Sequence, residues 1–295
     1  MATKIRKLIS FDWAIKKILR SKANFAVLEG FLSELLFDEI TIKEILESES
    51  NKETEEDKLN RSDIKVKNSK DEIILIELQY NREFDYLQRV LYAASKTVVE
   101  HIKKGDAYSK IVKVISISIV YFDLGKGDDY IYQGTTSFRG MHNHEILKLS
   151  ASQIELYKTE KVENIYPEYY LIKVKNFNDV AKDTLDQWIY FLKNEEVKDD
   201  FQAKGLVEAK EILDYLKYSE EERQEYERYK ESLHYQASMY ETNYTAAKLE
   251  GEKNKALEIA KNLLKMGLTI ESIVIATNLT ADEIEKLDVI KINLI

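Results

Sequence analysis

The sequence predicts a mixed α/β chain of the α+β kind, one sheet flanked by helices, with a helical extension at the C-terminal end. Three observations carry this. Two β-like runs, Asp63-Ile64-Lys65-Val66-Lys67 and Ile73-Ile74-Leu75-Ile76-Glu77-Leu78-Gln79, flank a short polar break. A third run, Ile115-Ser116-Ile117-Ser118-Ile119-Val120-Tyr121, is dense in β-branched residues and reads as a central strand. Beyond Phe177 the apolar residues recur at helical spacing instead.

From the N-terminal end, Phe11, Ile15, Ile18 and Leu19 have the spacing of an amphipathic helix behind a Ser10 cap. Asn24 caps a second helix that buries Phe25, Leu28, Phe31, Leu32, Leu35 and Leu36. Residues 41–46 read as a strand, and the acid-rich stretch 47–60, without apolar periodicity, as a mobile loop with solvated charges. Asn68-Ser69-Lys70-Asp71 is turn-forming and makes a hairpin of the first two β-runs. The spacing of Leu87, Leu91, Ala94, Val98 and Ile102 predicts a helix over 83–104, ended by Gly105. Further strands are expected at 130–133, 154–158 and 169–174.

Helices are expected over 180–192, through Leu185, Trp188, Ile189 and Leu192, and over 201–218. Ser219 with Glu222 forms a capping box for a long charged helix carrying Tyr226, Tyr229, Tyr240 and Tyr244. That tyrosine spacing reads as packing or an oligomer seam rather than a base-stacking platform. A helix over 257–266 stops at Gly267, Thr269 caps 270–277, and Thr280 with Glu283 caps the last helix. The last two have the outline of a helix-turn-helix, but the second opens Ala281-Asp282-Glu283-Ile284-Glu285, and acids there repel phosphates. Protein contact or homodimerisation through these helices is the expected use. The expected organisation is a domain over 1–200, a helical linker over 201–250 and a small helical unit over 251–295.

Composition narrows the chemistry. The chain has no cysteine, which excludes disulfides, thiolate metal sites and cysteine nucleophiles. Four histidines are too few for a histidine-rich zinc site, and His142-Asn143-His144 reads as a polar loop. Oxygen-ligand chemistry remains. A net charge of −9 argues against a sequence-independent DNA coat, although His101, Lys103, Lys104, Lys110 and Lys113 form a local basic patch. No apolar run is long enough to span a bilayer, and residues 1–10 are basic without an apolar h-region, so no membrane association and a cytoplasmic location are expected.

Within the hairpin, alternation puts Asp63, Lys65 and Lys67 on one face of the first strand and Glu77 with Gln79 on one face of the second. Antiparallel pairing brings Asp63 and Glu77 together across the ladder. Like charges there destabilise a sheet, and a divalent cation between them reverses the sign. The alternative is a solvated hairpin with scattered charges.

An acid on the first hairpin strand, Glu77-Leu78-Gln79-Tyr80 ending the second, and a following helix with Arg89 and Tyr92 resemble the PD-(D/E)XK nuclease superfamily. More narrowly, the chain looks like the Rpn-type recombination-promoting nuclease and transposase branch. Phe11-Asp12-Trp13-Ala14-Ile15-Lys16 and the span from Gly267-Leu268-Thr269 to Leu279-Thr280-Ala281 match as well. The resemblance implies a restriction-endonuclease-like mixed sheet and a metal-dependent DNA endonuclease. Asp63, Glu77 and the Leu78 backbone carbonyl would hold Mg²⁺, with Mn²⁺ or Ca²⁺ as substitutes. Gln79 stands where the superfamily usually has lysine and brings no positive charge, so Lys65 or Lys16 is the expected source. Asp12 either completes the site or serves the helix dipole. Arg89 either binds a DNA phosphate or pairs with Glu77 or Asp85. A catalytically retired fold that binds DNA or protein is the competing function, and a full transposase rests on the family label alone.

Overall fold

The computed structural model describes residues 10, 11, 13, 25–46, 62–214 and 217–292, without the side chains of 62, 63 and 288–292. Among the described residues, six strands form one mixed sheet: β1 (Ile42–Leu46), β2 (Ser62–Asn68), β3 (Ile73–Gln79), β4 (Val114–Val120), β5 (Ile131–Gly134) and β6 (Glu168–Lys173). Their spatial order is β1-β2-β3-β4-β6-β5. The β1–β2, β2–β3 and β5–β6 pairs are antiparallel, and β3–β4 and β4–β6 are parallel. Every residue of β3 and β4 is buried, as suits strands covered on both faces, and the buried set includes the polar Glu77, Gln79, Ser116 and Ser118.

The described residues also form eight α-helices: α1 (Ala26–Leu36), α2 (Tyr86–Glu100), α3 (Ala151–Tyr157), α4 (Thr184–Asn194), α5 (Leu206–Ile212), α6 (Glu220–Lys265), α7 (Ile270–Thr277) and α8 (Ala281–Ile292). One sheet face, through Ile64, Val66, Ile74, Ile76, Leu78, Ile115, Ile117 and Ile119, closes the large core with α1 and α4. Trp188 of α4 lies at its centre, edge-on to Phe11, Phe31 and Phe191. The other face is covered by α2: Tyr86 and Val90 pack with Val120 and Phe122, and Ala94 with Leu75 and Val114. A parallel β3–β4 pair needs a crossover, and α2 is that crossover.

Two expectations are corrected. Residues 151–157 are helix α3, not a strand over 154–158, because Ser150 and Gln153 form a capping box that outweighs a short alternating pattern. The helix expected over 83–104 runs Tyr86–Glu100, and its buried stripe is Tyr86, Val90, Ala94 and Thr97, whereas Leu87 and Leu91 are more than half exposed. The two stripes share Ala94 and both fit the helical period, and the sheet takes the one that runs through Tyr86, Val90 and Thr97, with Val98 of the other packed partly against it. The expected Asn24 cap and the 47–60 loop lie outside the described residues, as does most of the opening helix.

The chain divides into two compact units, Met1–Tyr229 and Lys230–Ile295. Within 201–250, expected as a helical linker, Leu206, Ala209, Leu213 and Tyr226 belong to the large core of the first unit. In the second unit, Ala260, Ile273, Leu279 and Ile284 form a small core. Gly267, at φ 80°, ends α6, and Thr269 caps α7 by accepting from the Ser272 N–H. The Glu283 carboxylate accepts from the Thr280 N–H at 3.0 Å and pairs with Lys253 at 2.7 Å. Those contacts, Lys253 first, lower its pKa to about 2. Among the described residues no helix is long and apolar enough to cross a membrane.

Candidate active site

The hairpin fixes which residues meet. Asn68 is fully buried at the turn; its Oδ1 accepts from the Lys70 and Glu72 N–H groups at 3.0 and 2.9 Å, and its Nδ2 donates to Glu72 at 2.8 Å. Asp71 takes the left-handed conformation, φ 61°, that closes the turn. The resulting register sets Asp63 opposite Glu77 and Lys65 opposite Leu75. A slip by one residue would drive Ile64 and Val66 out of the large core, so the register is strongly specified.

Glu77 stands near the C-terminal end of β3 on the α2 face and is 8% exposed. Its neighbour on β4 is Ser118, also buried. Arg89 of α2 pairs through Nη2 with Glu77 and through Nη1 with Glu83 Oε1 at 2.6 Å. Gln79 is 5% exposed. Its Nε2 donates to Glu83 Oε1 at 2.8 Å and to the Asn81 carbonyl at 3.1 Å. The six residues between β3 and α2 thus turn Glu83 back onto both the strand and the helix. Four site groups, Glu77, Gln79, Glu83 and Arg89, form one connected network.

Lys65 shares that sheet face, but its ammonium bonds Glu100 at the end of α2, 2.8 Å away. Burial pushes the Glu100 carboxyl up, and the hydrogen bond and charge of Lys65, with Lys96 and His101, more than reverse that and hold it low. Leu78 sends its side chain into the large core and leaves its backbone between the two site residues. Lys16 and Asp12 lie outside the described residues. In the basic patch, Lys110 pairs with Asp106 at 2.8 Å and Lys113 with Glu168 at 2.7 Å, which neutralises part of it.

The donor chemistry suits a hard divalent cation: the Glu77 carboxylate, the Asp63 backbone position directly opposite, and a carboxamide two residues on. Among the described residues no three His, Asp or Glu side chains gather as a metal-holding group, and the Asp63 side chain is not among them. Glu83 is the site residue that sequence reading passed over. Its only signal was an acid between the strand glutamine and the helix arginine, with no periodicity to single it out.

Residues 9–243 match the family model of the PD-(D/E)XK nuclease family transposases. No curated protein and no solved structure matches the chain.

Proposed function

The chain belongs to the PD-(D/E)XK nuclease transposase family, and on that premise we propose that it is a metal-dependent DNA endonuclease acting in recombination, mobile-element biology or defence. The observation that carries the proposal is the β2–β3 register, which sets Asp63 opposite the buried Glu77 on the sheet face that α2 covers. Asp63, Glu77 and the Leu78 carbonyl would hold Mg²⁺, since hard oxygen donors suit it and Mg²⁺ binds through one or two carboxylates. The cation would polarise a phosphodiester and make water a better nucleophile. The remaining steps belong to the protein. Arg89 counters the Glu77 charge, and would take up a DNA phosphate once a cation assumes that task. Lys65 lies on the same face as a further source of positive charge, held by Glu100 until a phosphate competes for it.

A second reading, a retired fold that binds DNA or protein without cutting, is favoured by two features. Gln79 replaces the usual lysine, and Glu77 already has its counter-charge in Arg89. One experiment separates the two. Purified protein is incubated with supercoiled plasmid and Mg²⁺ or Mn²⁺, with EDTA and an Asp63→Ala variant as controls. Nicking or linearisation that both controls abolish is the expected result. Binding of DNA without cleavage under any metal would leave the retired reading standing.

A further inference from the structure

The Gln79 amide has a defined orientation. Its Nε2 donates to the Asn81 carbonyl at 3.1 Å and to Glu83 Oε1 at 2.8 Å. Both partners are acceptors: a backbone carbonyl carries no proton, and Glu83 is ion-paired to Arg89 at 2.6 Å. The amide nitrogen, not the oxygen, must therefore face them, whichever way the group is first drawn. Both N–H bonds are then spent. The polar atom left to Gln79 is its carbonyl oxygen, on the strand face that carries Glu77 two residues earlier. At 5% exposure the side chain is not free to turn over in solvent.

We infer that Glu83 is a positioning residue that makes Gln79 an oxygen ligand for the divalent cation instead of a substitute for lysine. The inference rests on the metal-dependent reading above. Glu83 does this in two ways. It fixes the carboxamide so that a neutral oxygen joins the carboxylates, and it takes one arm of Arg89, so that the guanidinium is shared between Glu83 and Glu77. Groups that orient a ligand through a second hydrogen bond typically change metal affinity about 10- to 100-fold when removed.

The test is Mn²⁺ binding to the full chain by calorimetry, without DNA, each variant first being shown to melt cooperatively. Glu83→Gln should weaken binding about tenfold, because one of the two acceptors that orient Gln79 becomes an amide that can present either pole, and Arg89 loses a carboxylate partner. Gln79→Lys should weaken it at least as much, since an ammonium replaces the ligand oxygen. If wild type takes up Mn²⁺ and either single variant matches it, the inference is overturned while the metal site stands. If wild type takes up no Mn²⁺, the metal-dependent reading falls and the inference with it.

Discussion

Arg89 and a divalent cation would answer the same need at Glu77, and that competition is measurable at a single residue. The guanidinium joins Glu77 and Glu83, whose side chains are 10% and 32% exposed. Breaking a buried pair by removing one partner costs about 3–5 kcal/mol, and the half-open Glu83 puts this case at the lower end. Arg89→Met should therefore lower the melting temperature in EDTA by roughly 6–12 °C, at about 2–4 °C per kcal/mol for a domain of this size. Saturating Mn²⁺ should then raise the variant's melting temperature more than that of wild type, because the cation no longer displaces a guanidinium. Equal stabilisation of both proteins would mean that cation and guanidinium do not share Glu77. How legible these residues were in the sequence follows from how local their contacts are. The Asp63–Glu77 register follows from strand alternation and one turn, so it could be counted out along the chain. The Lys65–Glu100 pair depends on where α2 ends, thirty-five residues away along the chain, and Glu83 on how a loop folds back. Neither leaves a periodic trace.

Caps marked several element boundaries, and spacing alone gave the buried faces of α1 and α4, where Leu28, Phe31, Leu32 and Leu35, and Leu185, Trp188, Ile189 and Leu192, are all buried. Ser219 with Glu222 and Thr280 with Glu283 make the reciprocal bonds that their sequence spacing suggested. For α2 the period was correct and Ala94 and Val98 do face the sheet, but Leu87 and Leu91 are as regular as Tyr86 and Val90, and only packing on the sheet chooses between them. The neighbour that α1 packs against is also invisible in one dimension. Gly30 sits in mid-helix, where alanine is intrinsically better by about 1 kcal/mol. A Cβ there would lie 2.4 Å from the Lys204 carbonyl and 2.6 Å from the Gly205 Cα. Gly205 is itself held at φ +79°, and the Lys204 carbonyl accepts from Trp188 Nε1 at 3.0 Å, so the opposing backbone has little room to yield. Overpacking of this kind costs about 1–3 kcal/mol and exceeds the propensity gain at all but its lower end. Gly30→Ala should accordingly lower the urea midpoint with no change in its slope. A raised midpoint would show that α1 can move away from the 204–205 segment freely.

At the scale of the whole molecule, the division after Tyr229 falls inside α6, an unbroken helix from Glu220 to Lys265, so no glycine, proline or change of period announces it. What distinguishes its two ends is the core that each enters. Tyr226 is fully buried in the large core, whereas Ala260 belongs to a separate small core with Ile273, Leu279 and Ile284. All four network residues, Glu77, Gln79, Glu83 and Arg89, lie in the first unit. The second unit has little apolar surface to lose, and Ile273 is fully buried at its centre. A carboxylate there would be desolvated without a partner, which a core of four residues has no reserve to absorb. Ile273→Asp should therefore remove the helical signal of α7 and α8 while leaving Mn²⁺ affinity, and cleavage where wild type cleaves, at wild-type values. Loss of metal binding together with that helical signal would mean that the oxygen donors of β2 and β3 depend on the C-terminal helices for their placement.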